Sequence, residues 1–167
     1  MTDPTKQWLL DMAALAKAAG HPFPEMAACE AGIDSAYGHS NLAKEANNLF
    51  GVRQRDPQVF ETSEMPTREK KKDGTYQMNG NAGYIKYPTL LDCFADRITN
   101  ITRLAPKYIH YAKALAAKDA LEYVGQISRT WSNDPHRAAN CAQVYHKYFG
   151  DLFVQDAVKE AEEKEAS

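Results

Sequence analysis

Between Gln58 and Tyr87 the chain abandons helical spacing, and that interruption restricts its fold more than any other feature. The run "VFETSEMPTREKKKDGTYQMNGNAGYIKY" alternates polar and apolar residues around Asp73-Gly74, a pair suited to the positive φ values of a tight hairpin turn. Asn79-Gly80 offers a second turn in the same stretch. On both sides apolar residues recur at helical intervals. Trp8, Leu9, Met12, Ala13 and Leu15 give a first helix its buried side, and Leu90, Leu91, Phe94, Ile98 and Ile101 do the same after Pro88. The predicted class is α+β, mainly helical, with one small β-lobe inserted about a third of the way along. A wing on a helical body leaves a cleft between the two, and clefts suit extended polymer substrates.

The remaining punctuation sets helix boundaries. "GHPFPEM" ends the first helix, and Pro24 opens a second that runs to about Tyr37, where Gly38 stops it. Ser40 is placed to cap a short third helix, "SNLAKEA", before the corner "NNLFGV". After Pro88 the segments "TLLDCFADRITNITRL", "KYIHYAKALAA" and "DALEYVGQISRTW" are helical, and Asp134 with Pro135 begins a last helix. Residues 1–150 form a single domain, and 151–167 form a charged tail, helical or frayed.

The 167 residues suit one domain, and 44% hydrophobic with 25% charged residues is the balance of an ordinary globule. A formal charge of −2 gives no global attraction for nucleic acid, so no nucleic-acid partner is expected. No apolar run approaches the ~20 residues that span a bilayer, and no membrane partner is expected. The N-terminus lacks the basic start and unbroken apolar stretch of a signal peptide, so synthesis in a cytoplasm is expected. Cys29, Cys93 and Cys141 are odd in number and far apart, which fits buried hydrophobes rather than a disulfide framework. The five histidines fall in no metal-ligating pattern, so neither metal nor cofactor is expected.

The chemistry-bearing candidates are carboxylates. Glu30, Asp34 and Tyr37 stand at i, i+4 and i+7, so they share a face of the second helix. Such a stripe is ordinarily a solvated face. Asp34, however, falls in the last turn, where the helix dipole disfavours an anion and holds an acid nearer its neutral form. Glu69 in the hairpin is a second carboxylate that could face Asp34 across a cleft, in the two-acid arrangement of glycoside hydrolysis. It could equally be a strand-edge residue paired with lysine. Tyr76, Tyr84 and Tyr87 in or beside the lobe could stack on sugar faces or simply pack the hairpin.

"IDSAYGHSNLAKEANNLFGV" resembles the peptidoglycan N-acetylglucosaminidase domains of glycoside hydrolase family 73, found in bacterial autolysins and phage endolysins. Their usual form is Glu-Ser-x-Trp/Tyr-Gly-x-Ser, then Leu-Ala, then Asn-Leu-Phe-Gly. "MPTREKKKDGTYQMNGNAGYIKYPT" is similar to the family's hairpin, and "WSNDPHRAANCAQVY" to its late Asp-Pro helix start, so the resemblance covers roughly residues 20 to 150. It implies a lysozyme-like fold and hydrolysis of the β-1,4 bond after N-acetylglucosamine in peptidoglycan glycan strands. It implies a general acid at Asp34 and a second acid at Glu69. Tyr37, Asn48, Phe50, Tyr84 and Tyr87 are then the expected substrate-binding positions, with Asn48 and Phe50 in the corner that braces the site. A monomer acting on the cell wall is expected, and a phage or prophage lysin fits a chain without a leader.

Three departures from the family pattern stand out. Asp34 replaces Glu and withdraws the carboxylate by one methylene, a misplacement of about 1 Å of the kind that costs ~100-fold in rate. Ile85 stands where the family often has Arg, and Arg137 where it often has Tyr; both are expected to be peripheral to the acid chemistry. The shortened acid keeps a second reading open, a weakly active or non-catalytic glycan-binding morphogenetic protein. A lytic transglycosylase on the same scaffold is a third.

Overall fold

The helix at Pro24–Ser35 (α2) is buried on nearly every side, and the rest of the chain is arranged around it. Met26, Ala27, Ala28, Cys29, Glu30, Ala31, Gly32 and Ser35 are all buried, so this helix has no solvated face of the usual amphipathic kind. Its small residues let neighbouring backbones come close. Pro4–Ala18 (α1) packs along it, capped by Asp3, whose carboxylate accepts from the Thr5 N–H at 2.9 Å. Arg137–Ala166 (α7) packs on another side, and Ala120–Trp131 (α6) on a third. Asn41–Ala46 (α3), Leu90–Leu104 (α4) and Ile109–Leu115 (α5) complete the helical body. The computed structural model describes residues 3–70 and 72–166, the side chains of 67–70, 76–81 and 151–163 excepted.

The lobe is a two-stranded antiparallel hairpin, Glu61–Lys70 (β1) with Tyr76–Lys86 (β2), closed near Asp73-Gly74 as expected. Asn79-Gly80 is not a second turn. The register passes from Pro66↔Asn81 to Arg68↔Met78, so one residue of β1 faces two of β2 there. The pair is absorbed as a bulge, an irregularity that Asn and Gly accommodate readily. The lobe is tied to the body by the segment before it. Ile85 donates its N–H to the Val52 carbonyl at 3.1 Å, and Gln54 donates to the Gly83 carbonyl at 2.9 Å.

The arrangement is the mainly helical α+β fold that the alternation and helical spacing predict. Two helix ends differ from expectation. α2 stops at Ser35 rather than near Tyr37, and α7 begins at Arg137 rather than Pro135. Asp134 instead holds a turn just ahead of α7, its carboxylate accepting from the His136 N–H at 2.9 Å. α7 continues through the charged tail to Ala166. Cys29, Cys93 and Cys141 are free and buried. Among the described residues, no helix is long and apolar enough to cross a membrane.

Candidate active site

α2 ends abruptly because three successive residues turn left-handed: Ala36, Tyr37 and Gly38 have φ of 51°, 54° and 82°. Two of them are not glycine, a strain on the order of 1 kcal/mol or more each that persists only where the surroundings enforce it. They are enforced. The Tyr37 ring folds back onto Gly32, where an added Cβ would lie 2.8 Å from a ring carbon, and Trp8 meets the Tyr37 ring edge-on at 5.9 Å. Ser35 Oγ donates to the Ala31 carbonyl at 2.6 Å and accepts from the Gly38 N–H at 2.9 Å. Asp34 is thereby fixed in the last turn, and Tyr37 is directed off the stripe it was expected to share with Glu30 and Asp34.

Glu30 and Asp34 do share a face, and two arginines meet them there. Arg137 donates from Nε to Asp34 Oδ1 at 3.0 Å and from Nη2 to Asp34 Oδ2 at 2.7 Å. The same Nη2 lies 2.8 Å from Glu30 Oε2, and Nη1 donates to Ser128 Oγ at 2.8 Å. Arg97 donates to Glu30 Oε2 at 2.7 Å, and the Tyr123 hydroxyl donates to Oε1 at 2.7 Å. His21 Nδ1 accepts from the Phe23 N–H at 2.9 Å, which leaves Nε2 to carry the proton toward the Tyr123 oxygen at 3.1 Å. Two carboxylates thus face two guanidiniums in a cluster without net charge. The guanidinium of Arg97 lies 4.3 Å from the Phe50 ring centre and 3.8 Å from that of Trp131, two rings nearly perpendicular to each other, and its Nε and Nη1 have no hydrogen-bond partner among the described residues.

The environments push the two acids apart. Burial by itself raises the Glu30 pKa, but Arg97, Arg137 and the Tyr123 hydroxyl overcome it and bring the value down to about 2. For Asp34, burial raises the pKa above its ordinary value, although the Arg137 fork pulls the other way. Burial also lowers His21 to about 4, so the imidazole is neutral near pH 7. Glu30 side-chain exposure is 0%, against 15% for Asp34, so only the latter can be reached by a substrate.

The other expected positions divide between surface and brace. Tyr84 is half-buried and packs beneath the Arg53 guanidinium at 5.8 Å. Tyr37 is half-buried against Trp8. Asn48, Phe50 and Tyr87 are 1%, 4% and 1% exposed, and their side chains are already engaged. Asn48 Nδ2 donates to the Val52 and Ile85 carbonyls at 2.9 Å each, Phe50 covers Arg97, and the Tyr87 hydroxyl donates to Asp96 at 2.6 Å. These three side chains brace the site, and Phe50 also lines a groove beside Arg53. Glu69 pairs with Gln77 in the hairpin, and its side chain lies outside the described residues.

The expectation that Arg137 is peripheral is corrected: it makes both hydrogen bonds to the motif carboxylate. Ile85 fills the core at 0% exposure. Arg97, Tyr123 and Trp131 were not foreseen, because each sits in an ordinary helical run and only the packing brings them to α2. Two concavities lie nearby. One of about 470 Å³ is lined by Ser128, Ser132, Asn133 and Asp134 beside Arg137's partner. The other, about 270 Å³, opens between the Phe50–Arg55 segment and the helical body.

Residues 11–149 match the glucosaminidase family model, described as mannosyl-glycoprotein endo-β-N-acetylglucosaminidase. The chain belongs to the glucosaminidase family. Among curated relatives of this glucosaminidase domain is an N-acetylmuramoyl-L-alanine amidase domain-containing protein of Staphylococcus aureus. It is 29% identical over 142 residues, covering 81% of this chain but 22% of that protein. The glucosaminidase chain thus spans about a fifth of the relative's length. Its fold is shared with the catalytic domain of the autolysin Auto from Listeria monocytogenes, at a TM-score of 0.71 and 19% identity over 89% of this chain and 86% of that one. The glycoside hydrolase domain of FlgJ from Salmonella typhimurium, C-terminally truncated, superposes with a TM-score of 0.65 and 19% identity, covering 87% and 98%.

Proposed function

We propose that this chain hydrolyses the β-1,4 bond after N-acetylglucosamine in bacterial peptidoglycan, with Asp34 as general acid. The reading rests above all on the contrast between the two clustered acids. Asp34 occupies the motif position, is raised by burial and is partly exposed, whereas Glu30 is buried, ionised and fully bonded. A general acid must hold a proton until the leaving oxygen needs it. Protonated Asp34 would keep one oxygen on Arg137 and present the other to the glycosidic oxygen. As the proton leaves, the new carboxylate is received by both arms of the Arg137 fork, a charge-assisted pair stronger in the product than in the resting acid. The same fork reduces the protonated population at rest, so turnover is slow near neutral pH.

Glu69 would position the attacking water or stabilise the positive charge developing at the anomeric carbon, with the substrate's own 2-acetamido group as the other route to that stabilisation. Asn48, Phe50 and Tyr87 would keep the corner rigid, while Tyr37 and Tyr84 meet the glycan. The choice of a glycosidic over an amide bond follows the matched family's description, since the Staphylococcus relative carries an amidase name over a much longer protein. A lysin-type role on the wall, as a monomer, is the finer part of the proposal. Mass spectrometry of digested peptidoglycan tests it: a reducing-end N-acetylglucosamine is expected, and a released peptide with intact glycan would overturn it. The fully paired Asp34 keeps a second reading in play, a glycan-binding protein with weak turnover. It predicts wall binding without loss of turbidity.

A further inference from the structure

The groove beside the Phe50–Arg55 segment has a composition that the acid cluster does not account for. Its volume of about 270 Å³ lies below the roughly 300–1,000 Å³ of sites for drug-sized ligands, so it suits a single ring. Phe50, Tyr111 and Trp131 give it aromatic surface, Arg53, Arg55 and Arg103 give it charge, and no acid lines it. Arg55 is committed to Asp96 through contacts of 3.1 and 2.6 Å. Arg103 is not so committed: its Nη2 donates to the neutral Asn100 amide oxygen at 2.7 Å. Arg53 only rests over the Tyr84 ring at 5.8 Å. Among the described residues neither has a carboxylate partner, and both are exposed. Behind the aromatic wall stands the buried Arg97 cation, whose own countercharge, Glu30, is held by α2.

Aromatic faces pack the apolar face of a sugar, and guanidinium forks bind carboxylates. Three arginines in one pocket on a chain of formal charge −2 do not make a phosphate-tracking stripe of the kind nucleic acid requires. We infer that the groove is a subsite for a carboxylate-bearing aminosugar unit, its ring against Trp131 and its carboxylate between Arg53 and Arg103. The inference rests on the glycan reading above and adds which unit of the strand is recognised. The carboxylate has two possible sources, the lactyl group of a muramic unit without peptide or an acidic group of the attached peptide.

Calorimetric titration of the Asp34→Asn chain with three tetrasaccharides tests it. One is chitotetraose, which has no carboxylate; the second is peptide-free glycan with open lactyl carboxylates; the third carries a dipeptide with a free α-carboxylate. At least one acidic ligand should bind on the order of tenfold tighter than chitotetraose, with the advantage shrinking as salt rises. Arg53→Gln with Arg103→Gln should erase that advantage while binding of chitotetraose stays the same. Preference for the second ligand identifies the lactyl source, and preference for the third alone identifies the peptide. Equal binding of all three, or a preference that survives the double substitution, overturns the inference. Turbidity assays of the unsubstituted chain keep the two ideas apart. Cleavage without preference sinks only the subsite, and preference without cleavage sinks only the hydrolase.

Discussion

Arg137 holds both oxygens of Asp34, at 3.0 and 2.7 Å, and so joins two positions at which this chain departs from its family's usual motifs. The two positions are in direct contact, so a change at one alters the surroundings of the other. An arginine from the start of α7 reaches the acid in the last turn of α2. Asp34→Asn removes the charge and the transferable proton but keeps the shape. Wall hydrolysis should fall to near background while far-UV circular dichroism and the folded baseline stay unchanged. Retention of most activity would move the acid away from Asp34.

Asp34→Glu should hold or raise activity, and its benefit should depend on residue 137. The added methylene carries the carboxylate toward the space the Arg137 fork now fills. Arg137→Tyr clears that space but strips Glu30 of one counterion. The double variant should exceed what the two singles predict, with a coupling of roughly 0.5–3 kcal/mol, as for residues in direct contact. Initial rates on purified walls for all four proteins measure it, and additive effects would mean the two positions are energetically separate.

Glu30→Gln should act on stability rather than chemistry. Glu30 is 0% exposed and compensates Arg97 and Arg137, so its loss leaves buried cations without a carboxylate. Breaking a buried pair of this kind costs about 3–5 kcal/mol, which lowers the melting temperature by roughly 10 °C. Activity per folded molecule, measured well below that melting point, should change far less than in Asp34→Asn. If Glu30→Gln melts normally but is inactive, Glu30 is the acid.

The hairpin and the helices were legible because they rest on local periodicity and turn chemistry. Asp73-Gly74 closes a turn and Ser40 caps α3 wherever the tertiary structure puts them. The motif position of Asp34 was legible only through the resemblance to a family pattern, since its spacing alone reads as a solvated helix face. What joins it to Arg137, 103 residues later, was not. No spacing rule connects residues brought together only when α7 packs on α2. The end of α2 was misjudged because nothing local favours left-handed Ala36 and Tyr37; Trp8 and Gly32 impose them from outside and within the helix. Asn48 and Tyr87 are expected substrate-binding positions, yet the Asn48 amide is spent on two carbonyls and the Tyr87 hydroxyl on a carboxylate.

Stability should decline in two stages on acidification. His21 has a folded pKa of about 4 against 6.5 when free, so its contribution is complete above pH 6.5 and is lost as pH falls toward 4. By linkage that interval is worth roughly 3 kcal/mol. Glu30, lowered from 4.5 to about 2, adds a second loss below pH 4.5. Asp34 runs the other way: its raised pKa favours the folded state at low pH and costs stability as pH rises through the folded value. Melting temperature against pH should therefore already slope between pH 6.5 and 4. His21→Gln should flatten that first stage alone, and an unchanged slope would place its origin elsewhere.

The pH dependence of hydrolysis should be bell-shaped with its optimum on the acid side of neutral. Burial raises Asp34 and so extends its protonated range upward from the ordinary carboxylate value of about 3.9. Arg137 opposes the rise and keeps the descending limb from reaching alkaline pH. That limb should titrate Asp34, and it should move in both Asp34→Glu and Arg137→Tyr, upward in the latter because an opposing cation is gone. The acidic limb should belong to Glu69, which in its proposed role must be ionised to assist water or the developing cation. Glu69→Gln should remove that limb and lower kcat more than it weakens binding, because its proposed role is at the reacting centre. Rates on purified walls at constant ionic strength, from pH 3 to pH 9, distinguish the limbs. A profile that stays flat across this range in every variant would mean that no side-chain proton transfer limits the reaction, and the pairing of Asp34 with Glu69 would lose its support.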